Sequence, residues 1–229
     1  MIVLGKQKNS LKQLAKALED YPIRLRWGGP KVLDAVNGSA KLLNAIGQLQ
    51  VMQDAGVLVP EFTTSLKTAQ KWFDTDGKMV LGRLNNHTQG RDIVWANQGV
   101  IANTARRQWR ESDLWTVYIP AISEWRIHIL HGSSIARGLK HWSGEGPEPQ
   151  NHPIVRSRRK GWHIRHDVAP QEAIRIAAKA AVKAVGYDLG AVDLIETANG
   201  IMVLEVNSRP AIRDNYTVAA YTKALCKQY

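Results

Sequence analysis

Two acidic residues near the C-terminal end stand out because their neighbours are apolar. Asp193 lies in Leu189-Gly190-Ala191-Val192-Asp193-Leu194-Ile195, and Glu205 lies in Val203-Leu204-Glu205-Val206-Asn207. Ala191 to Glu196 and Ile201 to Val206 read as two strands joined by Ala198-Asn199-Gly200. With those three residues as the turn, Thr197 faces Ile201 and the register sets Asp193 opposite Glu205. Asn207 falls two residues further along on the same face. Like charges placed opposite each other destabilise a sheet unless a cation lies between them. Mg²⁺ is such a cation: it takes oxygen ligands, usually one or two protein carboxylates completed by phosphate oxygens and water. Asp193, Glu205 and Asn207 are therefore the candidate metal ligands. The alternative is that the two acids bond to nearby Lys, Arg or backbone groups, since acids in strands this apolar need some partner.

The rest of the chain is rich in cations. Thirty-one Lys and Arg against 20 Asp and Glu leave a net charge of +11. Such a balance favours anionic partners: nucleotide phosphates, nucleic acid or an acidic peptide. Arg126, Lys140, Arg156 and the run Arg158-Arg159-Lys160 recur at strand ends and in loops. Phosphoryl transfer relies on cations in such places, because the protein contributes mostly positioning and charge stabilisation. A solvated basic face is the plainer use of any one of them. The polar loop Asn85-Asn86-His87-Thr88-Gln89-Gly90-Arg91 can aim several backbone N–H groups at a phosphate, with Arg83 before it, or serve simply as a hairpin turn. Trp109, Trp142 and Trp162 stand beside basic residues, an interleaving that suits a base ring or single-stranded nucleic acid as well as core packing.

Other chemistries find little support. The single cysteine, Cys226, rules out an internal disulfide framework and a cysteine-rich zinc module. Gly5-Lys6 lacks the spacing of a P-loop, and no HExxH or GxSxG occurs. His128 and His131 straddle a strand and should face opposite ways. No apolar run approaches the ~20 residues of a membrane helix. The start, Met1 to Gly5, is too short for the apolar region of a signal peptide, so a reducing, cytoplasmic setting is expected.

The elements that must position these residues are mixed. Ile2 to Leu4 and Ile23 to Trp27 read as strands around a helix carrying Leu11, Leu14, Ala15 and Leu18. A second helix is expected over about 38–55, and a third over 63–73, entered by Thr63-Thr64-Ser65. Strands follow at Lys78 to Leu81, Ile93 to Trp95, Leu114 to Ile119 and Glu124 to Leu130, then a long loop over 143–153. The clearest helix spans Pro170 to Val185, with Ile174, Ala178, Ala181, Val182 and Val185 as its buried stripe and Gly186 as its stop. A last helix uses Val218, Tyr221 and Leu225. Antiparallel hairpins toward the end make the class α+β rather than a doubly wound sheet.

Together these elements resemble the ATP-grasp superfamily of carboxylate–amine ligases. The specific part is the hairpin, an Asp on one strand and Glu-x-Asn on the next, running on through Ser208-Arg209-Pro210. Leu114-Trp115-Thr116-Val117-Tyr118-Ile119-Pro120 and Glu124-Trp125-Arg126-Ile127-His128-Ile129 resemble the adenine hinge and the strand after it. The likeness spans about Val57 to the C-terminus. It is nearest to short ATP-grasp proteins often carried by tailed phages, and more distant from ribosomal-protein glutamate ligases. It implies two α+β lobes with antiparallel sheets enclosing a nucleotide cleft. Residues 61–119 would form the lid lobe and 120–229 the metal-bearing lobe, after an abbreviated α/β lobe over 1–60. It implies that Asp193, Glu205 and Asn207 hold Mg²⁺ on ATP, and that the backbone of Val117, Tyr118 and Ile119 reads adenine. Arg83 would contact phosphate, Thr88, Gln89 and Gly90 would close over it, and Arg126, Lys140 and Arg156 would face the γ-phosphate or the activated carboxylate. The sequence departs from the pattern at Ala45 and Arg83, where relatives carry lysine, and at Ala211, where they carry Gly. The implied substrates are ATP, a carboxylate and an amine, one of them on an acidic peptide or a modified nucleic acid.

Overall fold

The computed structural model describes residues 2–5, 12–27, 36–37, 40–84, 93–96, 108–143, 156, 161–212 and 214–227. The loop expectations at 85–91 and 143–153 therefore fall almost wholly outside the described residues, as do Arg158, Arg159 and Lys160.

Three sheets organise the described residues. β1 (Ile2–Gly5) and β2 (Arg24–Trp27) pair in parallel, connected through α1 (Lys12–Ala17). α2 (Ala45–Asp54) begins seven residues later than the 38–55 expectation, because Asn44 caps it by accepting the Gly47 N–H. α3 (Leu66–Asp74) begins three residues later than the 63–73 expectation, because of the three cap candidates it is Ser65 that accepts the Thr68 N–H. A four-stranded antiparallel sheet joins β3 (Phe62–Thr63), β4 (Val80–Arg83), β5 (Val94–Ala96) and β6 (Leu114–Val117) in the order β3-β6-β4-β5. Trp109 packs with Trp115 and Phe73 beneath it, so this tryptophan is core and not a stacking platform.

The larger sheet holds five strands in the order β11-β10-β7-β8-β9, all antiparallel. They are β7 (Ser123–Leu130), β8 (Ser133–Trp142), β9 (Trp162–Arg165), β10 (Leu189–Thr197) and β11 (Gly200–Asn207). β8 and β9 have no counterpart in the sequence reading. Their runs Ser-Ser-Ile-Ala-Arg-Gly-Leu-Lys-His-Trp and Trp-His-Ile-Arg mix polar and apolar side chains without clean alternation, and only the sheet's register reveals which face each side chain joins. His131 lies in the tight turn between β7 and β8 at φ 45°, not on the strand with His128.

One face of this sheet is core. Val192, Leu194, Val203, Val206 and Ile127 pack against α4 (Glu172–Ala184) and α2, which contribute Ile174, Ala178, Ala181, Val182, Leu49 and Met52. The stripe expected for α4 is buried throughout. α5 (Asn215–Cys226), capped by Asp214, buries Tyr221 and Leu225 against Leu14, Leu18 and Ile212.

Close packing of α4 on β10 depends on Gly190. A Cβ there would meet Val206 Cγ1 at 2.7 Å and Val182 Cγ2 at 2.9 Å. Gly190→Ala is expected to cost about 1–3 kcal/mol through overpacking, read as a lower midpoint of urea unfolding.

Candidate active site

The opposite face of the five-stranded sheet carries the charge. Cross-strand register fixes which side chains share it: Asp193 pairs with both Glu205 and Arg126, and Asn207 pairs with Ala191 two residues along. Asp193 therefore does face Glu205, but by another route than a three-residue turn. The turn is tighter, with Thr197 opposite Gly200, and an irregularity between Asp193 and Leu194 leaves Leu204 as an extra residue on β11. The two one-residue offsets cancel. Without the extra residue, Glu205 would pair with Val192 and lie on the core face.

The acids are answered by cations from neighbouring strands. Arg126 donates to Asp193 through Nε at 2.7 Å and Nη2 at 2.6 Å, a two-pronged pair in which the Asp193 side chain is 8% exposed. Burial alone would push the Asp193 carboxyl up, but Arg126 and Lys140 outweigh it and hold it well below the usual carboxylate range. Asp193 in turn keeps the Arg126 guanidinium charged beyond its ordinary range. Glu205 behaves oppositely. Burial, then the neighbouring Asp193, push it up, against the Asn207 Nδ2–H that donates to Glu205 Oε1 at 2.8 Å and the attraction of Arg126 and Arg83.

Arg83 comes from the other sheet, on β4. Its Nε is buried without a hydrogen-bond partner among the described residues. Burial pushes its pKa down, and the attraction of Glu205 opposes this. The two sheets thus bring charge toward each other at this point.

Lys140 and Arg156 form a second group around Glu124. Lys140 Nζ makes an ion pair with Glu124 Oε1, and Arg156 Nε lies 4.0 Å from Glu124 Oε2. Burial opposes the Lys140 charge, but Asp193 and Glu124 together raise its pKa. The Arg156 guanidinium also covers the Trp162 ring at 4.6 Å. So Arg126, Lys140 and Arg156 are gathered here, each engaged with a carboxylate.

At the expected adenine segment, the Val117 N–H donates to Glu61 O and the Tyr118 N–H to Met79 O, both at 2.9 Å. Among the described residues the Ile119 N–H has no such partner. Ala45 opens α2. Thr88, Gln89 and Gly90 lie outside the described residues.

The donor set suits a hard cation. Arg126 engages both Asp193 oxygens and Glu205 Oε1 accepts from Asn207, yet burial and Asp193 still push the Glu205 carboxyl up, so added positive charge beside it would be favourable. Mg²⁺ needs no more than one or two carboxylates when phosphate and water complete it.

Three positioning contacts were not legible in the motifs. Asn37, at φ 60°, accepts the Asp188 and Leu189 N–H groups on Oδ1 and donates from Nδ2 to Leu189 O and Ser208 O. Gln48 Oε1 accepts the Val206 N–H at 2.9 Å. His128, beneath Arg126, meets the Tyr221 hydroxyl at 2.9 Å and is pushed down to about 3 by burial and by Arg126, so it is neutral near pH 7. All three act between segments remote in sequence.

No family model matches the sequence, and no curated protein matches it. Solved structures do match the fold. The ATP-grasp ligase PsnB, solved with a phosphomimetic variant of its minimal precursor, Mg and ADP, aligns with a TM-score of 0.69 at 10% identity, covering 99% of this chain and 98% of that one. D-cycloserine synthetase DcsG gives 0.68 at 15% identity, over 99% of this chain and 98% of that one. D-alanine–D-alanine ligase from Bacillus anthracis gives 0.62 at 11% identity, over 100% of this chain and 92% of that one. The chain has the ATP-grasp fold, and it is an α+β protein with two antiparallel sheets flanked by helices.

Two predictions follow the electrostatics. Arg126→Met leaves the Asp193 and Glu205 carboxylates facing each other, and is expected to cost about 1–3 kcal/mol in urea unfolding, most of it recovered when Asp193→Asn is added. For Glu205 the folded-state pKa is raised, so its contribution is favourable below the ordinary value of 4.5 and is lost as pH rises through the folded value. Glu205→Gln should therefore raise Tm at pH 8, with the gain vanishing below pH 4.5.

Proposed function

We propose that this protein is an ATP-dependent ligase that joins a carboxylate to an amine through an acyl phosphate. The observation that carries the reading is the pair of opposed carboxylates, Asp193 and Glu205, with Arg83 of the second sheet, its Nε without a partner among the described residues, within electrostatic reach of Glu205, inside an ATP-grasp fold. The lobes run over 1–60, 61–119 and 120–229.

Asp193, Glu205 and Asn207 would hold Mg²⁺, which when bound would draw negative charge off the phosphate oxygens. Arg83 donates from the lid lobe to phosphate, and Thr88, Gln89 and Gly90 close over it. Val117 and Tyr118 hold the hinge in place through their own amides, leaving the Ile119 N–H for the adenine ring. In the first step a substrate carboxylate oxygen bonds to the γ-phosphorus as the bond to the bridging oxygen breaks, and ADP leaves. In the second, the amine nitrogen bonds to the acyl carbon, the carbon–oxygen bond to phosphate breaks, and the nitrogen gives up a proton to solvent. Arg126, Lys140 and Arg156 offset the charge that develops on the transferred group, and water is excluded when the lobes close.

The net charge of +11 favours an acidic peptide as the partner that carries one substrate. PsnB was solved with a precursor peptide, PsnA2, and AMPPNP, so a peptide is among the partners taken on the same fold.

The test uses the full chain with Mg-ATP, simple amines and a pool of acidic peptides labelled with ¹⁸O at their carboxylates. ADP release with transfer of ¹⁸O into phosphate is expected. Glu205→Gln should lower that turnover by about 100-fold or more while the chain stays folded, since one charge is lost with little change of shape. Wild-type turnover in the variant would refute the metal assignment. Steeply salt-dependent binding of DNA or RNA, with no ADP release from any substrate, would mark a nucleic-acid-binding protein instead.

A further inference from the structure

β11 is an edge strand, and it carries both Glu205 and Asn207. On its outer side the Val203 N–H donates to Leu58 O and the Val206 N–H donates to Gln48 Oε1, each at 2.9 Å. In a regular antiparallel strand the outward amides recur at every second residue, so the amide after Val203 would be that of Glu205. Here the two outward donors are three residues apart, because the extra residue at Leu204 moves the outward amide on to Val206. Gln48 thus makes its bond in one register only. In the alternative register, continued from Thr197 opposite Gly200, Asp193 pairs with Leu204, Glu205 turns to the core face, and the Val206 N–H points inward.

Gln48 is well placed to decide between the two. Its helix is anchored on both sides of it by Leu49 and Met52, 1% and 0% exposed, and by the Asn44 cap. Its own Nε2 donates back to Leu43 O at 3.3 Å, which turns Oε1 toward the strand. It lies before Val57, outside the stretch on which the family resemblance rests.

We infer that Gln48 is a positioning residue whose side-chain oxygen selects the bulged register of β11 and so keeps Glu205 and Asn207 on the charged face. What that register serves rests on the proposed ligase reading; the register itself rests on hydrogen bonds alone. Gln48→Leu removes the acceptor, whereas Gln48→Glu keeps one. Two measurements on the full chain separate the ideas: amide hydrogen exchange across β11 without nucleotide, and affinity for a non-hydrolysable ATP analogue in Mg²⁺ and in EDTA.

Gln48→Leu is expected to speed exchange at Val206 by about fivefold or more and to weaken the Mg²⁺-dependent affinity by a similar factor, with the affinity in EDTA unchanged. Gln48→Glu is expected to stay within about twofold of wild type on both. Unchanged exchange at Val206 in Gln48→Leu overturns the inference. So does an equal fall of both affinities that Gln48→Glu fails to rescue, which is the signature of general destabilisation. Should the exchange results hold while wild type binds no analogue in Mg²⁺, the clamp stands and the ligase reading fails.

Discussion

Two carboxylates held face to face across a strand pair, with little water to screen them, are the constraint around which the rest of the molecule is arranged. Asp193 and Glu205 cannot both be comfortable as neighbouring anions. The fold resolves this unequally. Asp193 receives both prongs of Arg126 and stays ionised, while Glu205 has one amide hydrogen from Asn207 and is pushed toward its neutral form. An ion pair of this kind is a weak source of stability, because desolvation offsets much of the attraction.

The cations arrive from separate parts of the chain. Arg126 is on β7, Lys140 on β8, Arg156 beside Trp162 of β9, and Arg83 on β4 of the other sheet. Only a sheet with the order β11-β10-β7-β8-β9 lays Glu205, Asp193, Arg126 and Lys140 in successive strands of one face. Glu124 pairs with Lys140 and Arg156 while Asp193 pairs with Arg126, so each cation faces a carboxylate and the positive charges do not simply repel. The face therefore holds buried charges of both signs in fixed positions. The same logic explains why β8 is hard to read along the chain: one of its faces belongs to the charged surface and not to the core.

The hairpin shows how a correct pairing can be reached from a wrong turn. Counting from a three-residue connection puts Asp193 opposite Glu205, and the structure has that pairing with a two-residue connection and an extra residue at Leu204. The bulge is invisible in the composition of β11, since Leu204 is as good a strand residue as Val203. On the outer edge the Leu58 carbonyl accepts from Val203 ahead of the bulge, and the Gln48 side chain accepts from Val206 after it. Asn37 ties the other end of the same hairpin to the N-terminal segment through Leu189 and Ser208.

Read alone, the sequence determined the α+β class, the stripe of α4, the Thr63-Thr64-Ser65 run from which the cap of α3 is drawn, and the isolation of Asp193 and Glu205 among apolar neighbours. All of these are local: periodicity, capping and hydropathy act over a few residues and are written in order along the chain. Tertiary structure alone decided that Arg126 grips Asp193, that Lys140 and Arg156 share Glu124, that Trp109 is core, and that Gln48 and Asn37 brace the hairpin. Each of those joins residues that sequence order keeps apart, and no one-dimensional pattern specifies which distant side chain will satisfy a buried charge or an outward amide. That choice is made by strand order and register, which exist only once the sheet has closed.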